Sequence, residues 1–360
     1  MIITLRKLVG PTAFLVVPLA AFSCGSEDSD AHTTSGTRGA AGSSGVSGKA
    51  GSATAGTGGT GAAPDSGSGG GAGSGGTMGR AGASGAGGAK GDAGPPLDEC
   101  AAAGSDVIFC DGFETPDTAP FWDGDDTAPE RRVDPGPGGF AENHVIRLRV
   151  PAGRGGAGLW KRFGTAQDRA YLRFYLEWEP GYDFAAPVHG PGGLHGGTLD
   201  CLGCSGNAPT DWFTSTLQPT DRTPPTLFAY TYYRGMYMDC AGPGSCWGDM
   251  FPCTAGPSYC TNPAHGPKVT QPALRTGHWY CIEQMIDAGS PTASSAQASG
   301  SLDFWIDGLE VGPFGSLWMR SSADIKVSAV WLYLFHHEQH SVEGLLLDNV
   351  VVSKSRVGCF

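Results

Sequence analysis

Positive charge is scarce in this chain. Lysine and arginine number 23 in 360 residues against 35 aspartates and glutamates, a formal net charge of −12. Nucleic-acid binders need a basic face to neutralise phosphates, so the composition argues against that class. Long apolar runs are scarce too. Residues 8–22 are apolar but carry Pro11 and Pro18, and they fall short of the ~20 residues a spanning helix needs. From residue 107 onward no stretch of about ten residues shows a helical period. A Gly-x-Ser-x-Gly elbow occurs nowhere, which removes the α/β serine hydrolases. The alternating Glu-x-Asp-x-x-Glu pattern, which sets the two carboxylates of a retaining glucanase ~5.5 Å apart, is missing as well. Residues 302–308 offer only Asp303 and Asp307, with no glutamate between them.

What is present begins with an export signal. Arg6 and Lys7 precede the short apolar run, which ends at Ser23-Cys24-Gly25. This end resembles a bacterial lipobox, with Ala21 where leucine is usual. Residues 1–24 are read as a lipoprotein-type signal peptide and Cys24 as the lipidation site. The expected location is the cell envelope, held to the membrane by an N-terminal lipid, or outside the cell. Residues 25–99 are rich in glycine, serine and alanine and almost devoid of large apolar side chains. Such a segment cannot offset its ordering entropy and is expected to be a disordered linker. Glycine recurs every third residue over 36–51 and 76–94, but proline is nearly absent from the other positions, so the period is not that of a collagen.

Eleven cysteines are present, and losing Cys24 to lipid leaves ten in residues 100–360. An even set in an exported chain reads as a disulfide framework. Short-range pairs such as Cys240–Cys246 and Cys253–Cys260 are candidates, although spacing does not fix connectivity. Cys201-x-x-Cys204 lacks both the second C-x-x-C of a zinc site and the βαβ context of a redox motif.

Residues 100–360 read as one all-β domain. Tyr171-Leu-Arg-Phe-Tyr-Leu-Glu-Trp178 alternates, with Leu172, Phe174, Leu176 and Trp178 on one face. Further strands are expected over 144–150, 158–163, 226–234, 278–286, 302–306, 325–335 and 345–352. Eight or nine strands without helices mean a two-sheet antiparallel sandwich or β-jelly roll.

A set of short motifs then carries a resemblance. Cys110-Asp-Gly-Phe-Glu114, residues 171–178, Gly190-Pro-Gly-Gly-Leu-His-Gly-Gly197, Trp279-Tyr-Cys-Ile-Glu283, residues 302–308 and Leu347-Asp-Asn-Val-Val-Val-Ser353 follow one another in order. Together they resemble the concanavalin-A-like β-jelly-roll proteins of the polysaccharide-lyase type, with the flavour of alginate and glucuronan lyases. Where that family more often has Gly-Gly-Lys-Leu-Pro-Gly, this chain has Gly192-Gly-Leu-His-Gly-Gly197, without the lysine. The resemblance implies a polysaccharide partner and β-elimination on a uronate-containing chain. It also implies a structural Ca²⁺ between the first and last strands, with Asp111, Glu114 and Asp348 as oxygen ligands.

β-Elimination needs a base, an acid and a partner for the uronate carboxylate. Period two over Phe228-Ala-Tyr-Thr-Tyr-Tyr-Arg234 places Tyr230, Tyr232 and Arg234 on one face. Tyr232 is the candidate base or acid, His195 its partner and Arg234 the carboxylate clamp. Tyr230, His189, Tyr280 and Gln284 are candidate substrate contacts, with His189 and His195 bracketing a glycine-rich loop. Tyrosine and arginine on one sheet face are also ordinary packing pairs. His336, His337 and His340 match no established metal spacing and read as polar residues at a strand end. The other classes are a non-catalytic carbohydrate-binding or adhesion module of the same fold, and a structural envelope protein. A monomer is expected.

Overall fold

The structure is a computed structural model that describes residues 100, 104–115, 122–125, 129–139, 141–150, 155–185, 188–198, 208–237, 248–253, 269–337 and 343–359. The signal segment, Cys24, the glycine-rich linker, the Cys201–Cys204 and Cys240–Cys246 pairs, Cys260 and His340 lie outside the described residues.

In chain order the strands are β1 (Val107–Asp111), β2 (Gly124–Asp125), β3 (Glu130–Val133), β4 (His144–Leu148), β5 (Gly155–Gln167), β6 (Arg169–Trp178), β7 (Val188–His189), β8 (Gly192–Gly197), β9 (Trp212–Pro219), β10 (Leu227–Tyr232), β11 (Asp249–Phe251), β12 (Trp279–Asp287), β13 (Gly300–Ile306), β14 (Leu309–Glu310), β15 (Phe314–Leu317), β16 (Val327–His336) and β17 (Leu345–Ser353). They form two antiparallel sheets. The first runs β14-β13-β12-β6-β17-β4-β3, with β1 on β17 and β15 on β13. The second runs β11-β10-β9-β8-β16-β5-β2, with β7 on β16. The sandwich expected from the alternating pattern is therefore present, and among the described residues the helical content is one 3-10 turn at Ser295–Gln297.

Alternation explains the core. Leu172, Phe174, Leu176 and Trp178 of β6 pack with Ile282 and Ile286 of β12 and Leu345 and Leu347 of β17. From the second sheet come Leu194, Phe213, Leu217, Leu227, Ala229, Val330, Leu332 and Leu334. Each leucine, isoleucine, valine or phenylalanine among them, fully buried, stabilises the fold by about 1.5–3 kcal/mol.

β8 corrects a sequence reading. Glycines disfavour strands, so 190–197 was expected as a loop. Here the glycines are what allow the strand to pair closely. A side chain at Gly196 would overlap the Phe213 ring, and one at Gly193 would overlap the Ser215 carbonyl oxygen.

The outer faces of the two sheets differ. Across the first lies the C-terminal tail. Glu283 of β12 accepts hydrogen bonds from Arg356 Nε at 3.0 Å and Val357 N at 2.7 Å. Cys359 is disulfide-bonded to Cys281, and Arg356 stacks over Trp305 at 4.3 Å. A second disulfide joins Cys100 to Cys110 on β1, and Cys253 is disulfide-bonded as well. The outer face of the second sheet carries aromatic and imidazole side chains instead.

Candidate functional site

Hydrogen bonds fix which face of the second sheet is which. Ser215 Oγ of β9 lies 2.9 Å from Thr231 Oγ1 of β10, and Gln284 Nε2 of the first sheet reaches Ser215 Oγ at 3.0 Å. Residues 215 and 231 therefore point between the sheets. Their neighbours Thr214, Thr216, Gln218, Tyr230 and Tyr232 point outward.

On that outward face Tyr230 Oη and Tyr232 Oη are 3.0 Å apart. Tyr230 Oη also accepts the backbone N–H of Gly248 at 3.0 Å, and either hydroxyl of the pair can donate to the other. Burial pushes the Tyr230 phenol well above its usual range, so it remains a proton donor. When Tyr232 is ionised its oxygen can only accept, so the relay Gly248 N–H to Tyr230 O–H to Tyr232 O then stabilises the negative charge.

Next to Tyr230 sits an imidazole pair. His189 stacks on the Tyr230 ring at 6.0 Å, and its Nε2 is 2.6 Å from Nε2 of His337. Thr216 Oγ1 accepts from Tyr333 Oη and from Gln218 Nε2, both at 3.3 Å. That orients the Gln218 amide so that its Oε1 accepts His189 Nδ1–H at 3.0 Å. His189 Nε2 is then the lone-pair nitrogen, and His337 supplies the shared proton. Burial first, and His337 second, hold His189 down to about 4, so at neutral pH it is the uncharged imidazole. Gly190, at φ +137°, lets the chain enter this site, because a side chain there would overlap the Tyr333 carbonyl oxygen.

His195 lies on the same outer face. Its ring and that of Tyr232 both pack on Trp212, at 6.1 and 5.9 Å. Nε2 donates to Thr198 O at 2.6 Å, and Nδ1 is buried without a hydrogen-bond partner. No direct hydrogen bond joins His195 to Tyr232. Burial lowers His195 to about 4, so it too is uncharged at neutral pH.

Three sequence candidates are elsewhere. Arg234 does not join Tyr230 and Tyr232, because β10 ends at Tyr232 and the chain turns. Its guanidinium sits 4.7 Å over the Trp318 ring, and its backbone N–H bonds Met319 O. Tyr280 and Gln284 share a face of β12, but that face points between the sheets. Tyr280 Oη bonds Arg275 N and Ala273 O. Gln284, fully buried, bonds Leu194 N and Ser215.

The calcium candidates do not form one donor set. Asp111 gives its two oxygens to Phe113 N and Trp122 Nε1. Glu114 is bonded to His144, at its backbone N and ring Nδ1. Asp348 accepts from Asn349 N and Asn143 Nδ2, and burial raises it to about 7. Among the described residues no three such side chains are grouped to hold a metal ion. In this arrangement the oxygens of all three carboxylates accept protein hydrogen bonds, the Glu114 charge also reaches Asp348, and no step is routed through the ion.

With this geometry in view, the known proteins add the following. No family model matches the chain, and no curated protein matches it. Solved structures similar to it include a marine PL-14 alginate lyase from Aplysia kurodai, at 13% identity and TM-score 0.49, covering 69% of this chain and 99% of that one. An alginate lyase from Chlorella virus is 14% identical with TM-score 0.47, covering 65% and 93%. An endo-β-1,4-glucuronan lyase from the fungus Trichoderma reesei is 13% identical with TM-score 0.42, covering 65% and 91%. At these identities and scores the likenesses carry no functional argument, and the chemistry rests on the residues of this chain.

Sequence reasoning missed Gln218, His337, Trp212 and Tyr333. Residues 212–219 do carry a strand signal, with Phe213, Ser215 and Leu217 alternating against Thr214, Thr216 and Gln218. His337 was set aside as a strand-end residue, yet pairing of β7 with the end of β16 brings it onto His189.

Proposed function

We propose that the outer face of the second sheet binds an acidic, uronate-containing polysaccharide and cleaves it by β-elimination. The observation that carries this reading is the meeting, on one sheet face, of the Tyr230–Tyr232 hydroxyl pair with the His189–His337 imidazole pair. Tyr232, its oxygen supported by the Tyr230 proton, removes the C5 proton. On substrate entry the shared His337 proton turns from His189 Nε2 to the carboxylate, with His189 kept in place by Gln218, and stabilises the charge that develops there. The C4–O4 bond breaks with its electron pair leaving on O4, and a C4=C5 double bond forms. Tyr232, now a phenol, returns the proton to O4. Around these groups Trp212, Trp331 and Tyr333 offer ring faces to sugars, the last two stacked at 3.8 Å.

The charge balance supports an acidic ligand. The chain holds 35 acidic residues, yet none occupies an outward position on β5, β8, β9, β10 or β16. The signal-like N-terminus and Cys24 support an exported protein tethered to the envelope by lipid, where polymers are within reach. A second reading, carbohydrate binding without catalysis, is favoured by the burial of Tyr232, which is 4% exposed.

Incubation with alginate, glucuronan and related polymers, followed by absorbance of the unsaturated product, tests the first reading. Product is expected from the parent protein and not from Tyr232→Phe. No product from any acidic polymer, with retention on a polysaccharide column, selects the second.

A further inference from the structure

The pairing register arranges the outer face of the second sheet in transverse rows. Arg162 of β5 lies opposite Ala329 of β16, Ala329 opposite His195 of β8, His195 opposite Thr214 of β9, and Thr214 opposite Tyr232 of β10. The adjacent row runs Trp160, Trp331, Gly193, Thr216 and Tyr230. In both rows the inner β9 residues are threonines, and the rows also include Ala329 and Gly193. The result is a band across the strands, most of it buried, with the tyrosine pair at one end and Trp160 and the exposed Arg162 at the other. Four strand spacings separate the ends, roughly 19 Å, room for several linked sugars.

Among the described residues Arg162 is the cation on these rows, and its charge also acts on Asp123. Its guanidinium lies 5.5 Å from the centre of the Trp160 ring. The nearby Asp123 is engaged by Lys161 Nζ at 2.9 Å and by the backbone N–H of Arg162 at 2.6 Å. The Arg162 guanidinium makes no ion pair with a described residue. Other arginines are consumed by the fold: Arg320 bonds Gly289 O and Ile325 O, and Arg147 bonds Glu179 and Glu130. Between Arg162 and Tyr232, His195 keeps Nδ1 buried and unpartnered, an acceptor suited to a sugar hydroxyl.

The geometry points to Arg162 as a specificity-determining residue. Held over Trp160, it binds the carboxylate of a uronate several sugars away from the bond at Tyr232, and so makes this face select long acidic chains. A planar guanidinium matches a carboxylate in two parallel hydrogen bonds. This assignment rests on the acidic-polysaccharide reading of the same face.

The experiment compares the parent protein with Arg162→Ala and Arg162→Lys on an acidic polymer and on its di- to tetrasaccharides, at low and high salt. For Arg162→Ala, KM on the polymer is expected to rise about tenfold while kcat changes little. Cleavage of the short oligomers is expected to change less than twofold. Arg162→Lys should recover part of the loss, and salt should shrink the difference. An unchanged KM on the polymer, or equal losses on polymer and oligomers, overturns the assignment and leaves the reading of Tyr232 intact. Where the parent protein binds without cleaving, dissociation constants for acidic against neutral polymers replace KM, with the same expected and opposing results. A parent protein that neither cleaves nor binds any acidic polymer overturns the underlying reading, and this assignment with it.

Discussion

Gln284 of the first sheet and Ser215 of the second are hydrogen-bonded across the core, with Gln284 Nε2 donating to Ser215 O at 3.2 Å and to Ser215 Oγ at 3.0 Å. The same amide accepts Leu194 N–H at 3.2 Å, so one side chain holds β8 and β9 beneath the outer face. Gln284→Leu keeps the volume but strands a buried N–H and a buried carbonyl. A loss of about 2–4 kcal/mol is expected, read as a lower denaturation midpoint with an unchanged slope. A midpoint equal to that of the parent protein would show that these bonds are replaceable.

The tyrosine relay makes a kinetic prediction. Tyr232→Phe should reduce lyase turnover at least about 100-fold. Tyr230→Phe keeps the base but removes the proton that supports its charge. The rate should then climb with pH only at higher pH than in the parent protein. A pH–rate profile with its rising limb unmoved would count against the relay.

Stability against pH follows from opposed groups. His189 and His195 fall from 6.5 to about 4 in the folded chain. Their burial favours the unfolded state as pH drops from about 6.5 toward 4, a loss on the order of 3 kcal/mol each. Asp348 rises from 3.8 to about 7, so its contribution runs the other way and grows as pH falls over the same window. In the parent protein these slopes partly cancel. Asp348→Asn removes the opposing slope, and its melting temperature should fall more steeply than the parent's between pH 6.5 and 4.5.

Gly196→Ala forces a methyl into the Phe213 ring. An overpacking cost of about 1–3 kcal/mol is expected from thermal or denaturant melting. The double variant Gly196→Ala with Phe213→Leu should recover part of the clash while losing core packing.

The fold was legible where alternation is strong. Residues 171–178 separate Leu172, Phe174, Leu176 and Trp178 from Arg173 and Tyr175, and β6 buries the first set between the sheets. The pairing of Tyr230 with Tyr232 on one face also followed from period two. Where β10 stops was not visible in the sequence, and Arg234 was lost from the face for that reason. Period two places Tyr280 and Gln284 together without saying which side is the core. Their companions Ile282 and Ile286 carried that information. The join of His189 to His337 depends on strands 148 residues apart, beyond any local pattern.

β8 limits how this face can change. At Gly193, on the outer face, an added side chain would overlap the Ser215 carbonyl oxygen, and at Gly158 a backbone oxygen stands at 3.0 Å, while at Gly156 the nearest atom belongs to the Phe335 ring at 3.2 Å. On the acidic-polysaccharide reading, the middle of this face is therefore closed to innovation by its want of side chains, and change is left to its margins.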